Sequence, residues 1–246
     1  MKFGKEEKFE FFCINEHTFD ISPILPIRSL KIGWVDASRK EFAGDLKKSA
    51  MHMCSGIRGI ASSGWVVTTW ADSIITTNDD GNSISWHMPT EKVVDVIGAP
   101  PHVAFPTEKL GGAMPLLEGT LNTLIKVATP WCFKAPKGWG LLFLPLQYHG
   151  ETRFYSSIGV LDPRLSNEIN PILFWHSKNQ QEFVKAGTPL CQLVPFRLDE
   201  FDFDLRMATE KELEWRRRVS YMKSTQYKFH SPFISKLYEK FFGIKK

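Results

Sequence analysis

The sequence has no apolar stretch long enough to cross a membrane and no apolar leader at its start. The longest apolar run, around Gly140 to Leu146, is far shorter than the roughly 18 residues that a spanning helix requires. The first residues, MKFGKEEK, lack the apolar core of a secretory signal peptide. These absences argue against a transmembrane segment and lead us to expect a cytoplasmic location.

Cysteine is scarce and widely spaced. The four cysteines, Cys13, Cys54, Cys132 and Cys191, include no Cys-x-x-Cys pair, which argues against a zinc ribbon or a disulfide framework. We expect reduced and mostly buried thiols. Cys54 lies two residues after His52, but this spacing does not ensure contact between thiol and imidazole. We therefore interpret Cys54 as a loop or buried thiol rather than a nucleophile.

The net positive charge of the chain comes from its tail, the residues from Glu210 onward. The chain has a net charge of +4, and the residues from Glu210 onward contain ten Lys or Arg against four Glu, which leaves −2 for the rest. Electrostatic attraction to phosphates would therefore come from the tail. Arg216, Arg217 and Arg218 could contact nucleic acid, but ion pairs with nearby Glu are favoured. We expect no nucleic-acid partner.

The first half of the chain combines extended segments with turns. The composition, 43% hydrophobic and 24% charged, is that of a globular protein. Residues 9–35 are predicted to be extended, and Gly44–Met53 a short helix ending at CSGIRG. The segment NDDGN at 78–82 separates two β-rich runs and predicts a hairpin. Residues 98–120, rich in Gly and Pro, are predicted to form a long loop.

The second half predicts a β-rich body followed by helices. Between Leu121 and Phe196, short β runs alternate with Pro and Gly turns, a pattern typical of a sandwich or barrel. Thr209-x-x-Glu212 predicts a capping box and a helix to about Lys223. Ser231-Pro232 then predicts a second, amphipathic helix. We expect a mainly β protein with a domain at 1–205 and a helical extension with two α-helices at 206–246.

Three consecutive pieces of the body resemble the dUTPase and dCTP deaminase group, which shares the β-clip fold. KAPKGWGLLFLPLQ resembles its Pro-x-Gly turn and following strand, GVLDPRL its Gly-hydrophobic-hydrophobic-Asp hairpin, and VKAGTPLCQLVPF its closing strand. The order and spacing agree over about residues 126–196. The resemblance implies a β-clip or sandwich-like body.

The chemical residues of that group are carried over poorly. The resemblance places Asp162 where the group has the Asp that orients an attacking water, so Asp162 is the candidate catalytic residue. Leu165 replaces the Tyr that packs under the base, and Leu146-Gln147-Tyr148 replaces the phosphate-binding Arg-Ser-Ser. Phosphate chemistry needs clustered donors, guanidinium groups or a metal. A structural role in closing its turn is nevertheless favoured for Asp162, since Asp-Pro favours turn initiation.

A longer segment is similar to a family of uncharacterised proteins of tailed marine phages and some bacteria. The similarity runs over about residues 50–198, from MHMCSGIRGIASSGWVVTTWADSII to VKAGTPLCQLVPFR. Ser55 stands where that family usually has Pro, and Trp139 where it has Tyr. The resemblance implies a phage or bacterial setting, with the host cytoplasm as the location of a phage-encoded protein, and implies no mechanism.

Four residues are candidates for ligand binding. Gln192 corresponds to a Gln near the ligand cleft of the β-clip group, although a structural role is favoured because a buried amide must be hydrogen-bonded. Trp139 and Trp175 could line an aromatic pocket, although tryptophans are more often core residues. His149 is the fourth. We predict no metal ligand, although four histidines could converge as in cupin-like metal enzymes: His87, His102, His149 and His176.

Taken together, these features favour a non-enzymatic binding or assembly protein with an aromatic-lined β surface. The expected partners are a second copy, through the C-terminal helix, and a phage or host protein. The alternatives are a diverged nucleotide-processing β-clip enzyme that uses Asp162 and a metal-dependent, cupin-like enzyme. No cofactor is indicated by any motif.

Overall fold

The computed structural model describes residues 8–31, 33–42, 51–78, 84–89, 103–107, 114–146, 148–176 and 179–228. Over these residues the protein is mainly β, which confirms the predicted fold class. None of the described helices is long and apolar enough to span a bilayer.

The described residues form fourteen strands, three α-helices and three 3₁₀ turns, joined by loops. The strands are β1 (Glu10–Cys13), β2 (Leu25–Pro26), β3 (Trp65–Thr68), β4 (Ser73–Thr77), β5 (Ile84–His87), β6 (Val103–Thr107), β7 (Leu124–Val127), β8 (Trp131–Lys134), β9 (Trp139–Leu144), β10 (Phe154–Ser156), β11 (Gly159–Leu161), β12 (Ile172–Trp175), β13 (Gln181–Val184) and β14 (Pro189–Arg197). The helices are α1 (Gly33–Glu41), α2 (Ser55–Ile60) and α3 (Glu210–Lys228), and the 3₁₀ turns are Glu16–Thr18, Ile27–Ser29 and Met51–Met53.

The chain divides into two compact units, which are described separately. The first comprises Met1–Ala37 and Cys54–Asp199, and the second comprises Ser38–Met53 and Glu200–Lys246. All the described strands belong to the first unit, whereas α3 belongs to the second. The expected division at residues 205 and 206 stays a prediction.

A five-stranded antiparallel sheet in the order β11-β9-β14-β3-β2 positions the residues discussed below. Strand β14 lies at its centre, where Gln192 pairs with Val66 on one side and with Leu144 on the other. Strands β9 and β11 pair with Val160 opposite Leu142. Three further sheets complete the set, in the orders β10-β12-β7-β6, β13-β4-β5 and β1-β8.

The core of the first unit consists of two main apolar clusters. One contains Leu121, Ile125 and Trp175, and the other contains Phe133, Leu141 and Leu193. Full burial of such a side chain contributes about 1.5–3 kcal/mol. Four consecutive residues of β14, from Leu190 to Leu193, are buried. This pattern is expected of a central strand with both faces covered.

The predicted hairpin around NDDGN is confirmed, because β4 and β5 pair antiparallel with Thr77 opposite Ile84. The prediction of a loop throughout 98–120 is wrong at Val103–Thr107, where β6 pairs with β7. The extended prediction for 9–35 holds for β1 and β2 but misses the two 3₁₀ turns and the start of α1.

Helix boundaries also differ from those predicted. Most of the helix predicted over Gly44–Met53 lies outside the described residues, whereas CSGIRG, expected to end a helix, contains all of α2 but its last residue. The capping box is confirmed: Thr209 N donates to Glu212 Oε2 at 2.7 Å, and Glu212 N donates to Thr209 Oγ1 at 3.4 Å. Helix α3 extends to Lys228, past the predicted end. The second predicted C-terminal helix lies outside the described residues.

Candidate functional site

A surface cleft of about 540 Å³ lies in the first unit, beside the segment GVLDPRL that resembles the β-clip hairpin. Three segments line it, namely residues 135–139, residues 162–164 and residues 197–199. The first segment precedes and enters β9, the second follows β11, and the third ends β14. Strands β11 and β14 both pair antiparallel with β9. The start of β9 therefore lies beside the ends of β11 and β14, and the three segments meet at the same end of the sheet.

The first wall of the cleft is a tight turn before β9. Trp139 N donates to Pro136 O at 3.1 Å, and Gly138 has φ of 78°. A turn with positive φ at its third residue favours glycine there. A Cβ on Gly138 would also lie 3.2 Å from Asp199 Oδ1. Glycine therefore brings the first and third walls close together.

The second wall is the turn that begins at Asp162. The Asp162 carbonyl accepts from Leu165 N and Ser166 N, both at 3.0 Å. Its carboxylate accepts from Arg164 N at 2.9 Å, from Nε at 3.0 Å to each oxygen, and from Nη2 at 2.6 Å. The hydrogen bond from the Arg164 side chain is the main cause of the lowered pKa of Asp162. Both carboxylate oxygens of Asp162 thus stabilise the turn that Asp162 begins.

The third wall is formed by the end of β14, where Arg197 lies over an aromatic ring. Its guanidinium is 5.2 Å from the centre of the Trp139 ring, a cation–π distance. Arg197 also forms an ion pair with Asp199. Leu198 N donates to Gly138 O at 2.9 Å, which ties this segment to the first wall. Trp139 is therefore held as part of the cleft wall.

Of the residues predicted from the sequence, Asp162 and Trp139 line this cleft, and Gln192 lies elsewhere. Gln192 is 4% exposed, and its Nε2 donates to Ile60 O at 2.7 Å and to Ser63 O at 2.6 Å. These bonds fasten the end of α2 and the turn before β3 to the central strand. This is the structural role favoured for Gln192 from the sequence.

Trp175 and His149 occupy two other places. Trp175 is fully buried in a core cluster and stacks on Phe154 with ring centres 5.4 Å apart. His149 is half-buried in the turn after β9. Tyr148, which precedes it, has φ of 73°, a backbone conformation that residues other than glycine rarely adopt.

A second, smaller cavity of about 320 Å³ includes Tyr148, Tyr155 and His176 in its wall. His176 lies with its ring centre 5.0 Å from that of Tyr155, and burial lowers the pKa of the imidazole. Glu151 also lines it, but Arg153 binds both oxygens of that carboxylate. The negative charge of Glu151 is therefore compensated by Arg153, which is not itself among the lining residues.

The histidines considered for a metal site are spread over several elements. His87 is exposed on β5, His149 and His176 lie as described above, and His102 lies outside the described residues. Within the described residues, no group of three His, Cys, Asp or Glu is arranged to hold a metal ion.

Sequence reasoning missed the basic residues of the cleft, Lys137, Arg164 and Arg197. Each stands in or beside a turn-forming run, PKG, DPR and FRLD respectively. A charged side chain next to a turn residue is only a weak sequence signal of a binding site. Only the sheet order brings the three runs together.

Comparisons with known proteins leave the chain without an assigned family. No protein-family model matches it, and no curated protein matches it. Among solved structures, a mutant dUTPase from phage phi11 of S. aureus aligns over 83% of this chain and 99% of its own, with 7% identity and a TM-score of 0.37. A likeness at that level supports no inference about function.

Proposed function

We propose that the protein is a non-enzymatic binding or assembly protein and that the cleft is where a partner docks. The observation that carries the proposal is the arrangement of Asp162. Arg164 donates two hydrogen bonds to each oxygen of that carboxylate, whereas a general base needs a free oxygen within hydrogen-bond reach of the proton that it accepts. Asp162 therefore acts as a part of the turn.

The lining of the cleft suits an acidic partner surface. It contains three cations, Lys137, Arg164 and Arg197, against two carboxylates, Asp162 and Asp199. Both carboxylates are already paired with arginines of the cleft. Lys137 and Arg164 are largely exposed, and a guanidinium has donors for more than one acceptor. A carboxylate of a phage or host protein could therefore bind at the rim beside Trp139.

The proposal is tested with a fluorescein-labelled hexaglutamate peptide and purified full-length protein. Anisotropy titration should show salt-sensitive binding, and Lys137→Glu should weaken it about fivefold, because one charge of the cleft is reversed. The matched control is Lys134→Glu, since Lys134 is also exposed but lies outside the cleft, above the Phe12 ring. The control should bind as the wild type does.

Two results would overturn the proposal. One is equal weakening by Lys137→Glu and Lys134→Glu, which would mean that the peptide responds only to the overall charge. The other is hydrolysis of dUTP or dCTP by the wild type that Asp162→Asn abolishes, which would assign Asp162 to an enzyme site.

A further inference from the structure

The segment between β14 and α3 has an unusual pattern of exposure. Residues 200–208, called the arm from here on, are in neither a helix nor a strand and pair with no strand in the described part of the chain. Large apolar residues alternate with charged ones, and the apolar ones are highly exposed. Their exposed fractions are 75% for Phe201, 88% for Phe203, 90% for Leu205 and 89% for Met207.

The alternation divides the arm into two sides. Asp204 and Arg206, two residues apart, form an ion pair with 3.6 Å between Oδ2 and Nε, so their side chains lie on the same side, as alternate side chains of an extended segment do. The same alternation places the four apolar side chains on the other side. Arg206 is also held by two hydrogen bonds to Glu212, at 2.9 and 2.7 Å. The start of α3 thus fixes the end of the arm.

The apolar side is large enough to form an interface. Four such side chains present on the order of 500–600 Å², which matches the largest apolar patches found on whole monomers. Two copies of this surface packed together would bury roughly 1,000–1,200 Å² in total, about the area at which a specific interface becomes stable. A mainly polar partner surface of the same size would not supply that apolar area.

A second copy of the chain fits this side best. In a two-fold dimer the same patch meets itself, so it must be self-complementary. The apolar side meets that condition, because the carboxylates of Asp202 and Asp204 lie on the opposite side and would not confront their counterparts. We propose that the protein self-associates through the arm, with the apolar side of one arm packed against the apolar side of another.

This interface uses none of the residues that line the cleft. It also differs from the interface expected from the sequence, which was a helix beyond the described residues. A failure of the peptide-binding experiment would leave the present inference intact, and the reverse also holds.

The experiment compares neighbouring serine substitutions on the two sides of the arm. Sedimentation equilibrium of the full chain should give twice the 28.2 kDa monomer mass. Phe203→Ser should raise the dimer dissociation constant at least about tenfold, and Leu205→Ser should do the same. Asp202→Ser, the control, places the same residue on the charged side and should change it less than about threefold.

Circular dichroism and urea unfolding of each variant check that the body remains folded, which the high exposure of both substituted residues leads us to expect. A wild type that stays monomeric would overturn the proposal, as would a dimer that Phe203→Ser and Asp202→Ser weaken equally. A concentration-dependent series of larger assemblies would also overturn it, because a two-fold interface closes on itself.

Discussion

Replacing Gln192 by methionine tests whether the central strand depends on a buried amide. The side chain keeps its approximate length, but the hydrogen bonds from Nε2 to Ile60 O and Ser63 O are lost. Two hydrogen bonds contribute about 2 kcal/mol. We therefore expect the free energy of unfolding to fall by about 2 kcal/mol.

The measurement is urea unfolding followed by tryptophan fluorescence, with the midpoint converted through the urea dependence of the free energy. The matched control is Gln181→Met. Gln181 also lies in a strand and donates from Nε2, to Thr76 Oγ1 at 3.4 Å, but this bond is exposed. We expect the control to change stability by less than about 0.5 kcal/mol. Equal losses in the two variants would refute the argument that burial gives the Gln192 bonds their importance.

Two further predictions concern the backbone and the cleft. Gly64→Ala should destabilise the protein by at least about 2 kcal/mol, because Gly64 has φ of 77° and a Cβ there would lie 1.9 Å from Leu193 O. Gly119→Ala, with φ of 85° but open space around it, should cost only about 1 kcal/mol in the same urea assay, and comparable losses would contradict the steric argument. Arg164 lowers the pKa of Asp162, so the pair stabilises the fold above the ordinary aspartate pKa and this stability is lost as the pH falls toward the folded-state value. Asp162→Asn should therefore lower stability at pH 7 and reduce the loss between pH 7 and pH 3, whereas an unchanged pH profile would show that the ion pair is energetically silent.

The parts of the fold that could be predicted are those with a strong local signal in the sequence. The β4–β5 hairpin was predicted because Asp-Gly favours a tight turn, whatever the surrounding structure. Strand β6 was missed because Pro106 and its neighbouring glycines indicate a loop. Among the described strands, β6 lies at the edge of its sheet and pairs with β7 alone, and edge strands tolerate proline. Helix α1 was missed because it has no buried residue and hence no apolar stripe to recognise.

The cleft was predictable only in part. The turn role of Asp162 followed from the Asp-Pro sequence, but its hydrogen bonds with Arg164 depend on the conformation of two side chains. The contact between Trp139 and Arg197 joins residues far apart in the chain, and no spacing rule reveals it. Trp175 is a core residue in the structure. A tryptophan can line a pocket or fill a core, and only its burial in the folded protein distinguishes the two roles.

The central position of β14 has a consequence for synthesis of the protein. Val66 of β3 finds its partner Gln192 only 126 residues later in the chain. At translation rates of about 5–20 residues per second, β3 waits for roughly 6–25 s before that partner has been made. During this interval the nascent chain carries apolar residues such as Val66 and Val67 without their neighbours on β14. We therefore expect the first unit to fold after most of it has left the ribosome, and its yield in cells to depend on chaperones that shield the waiting strands.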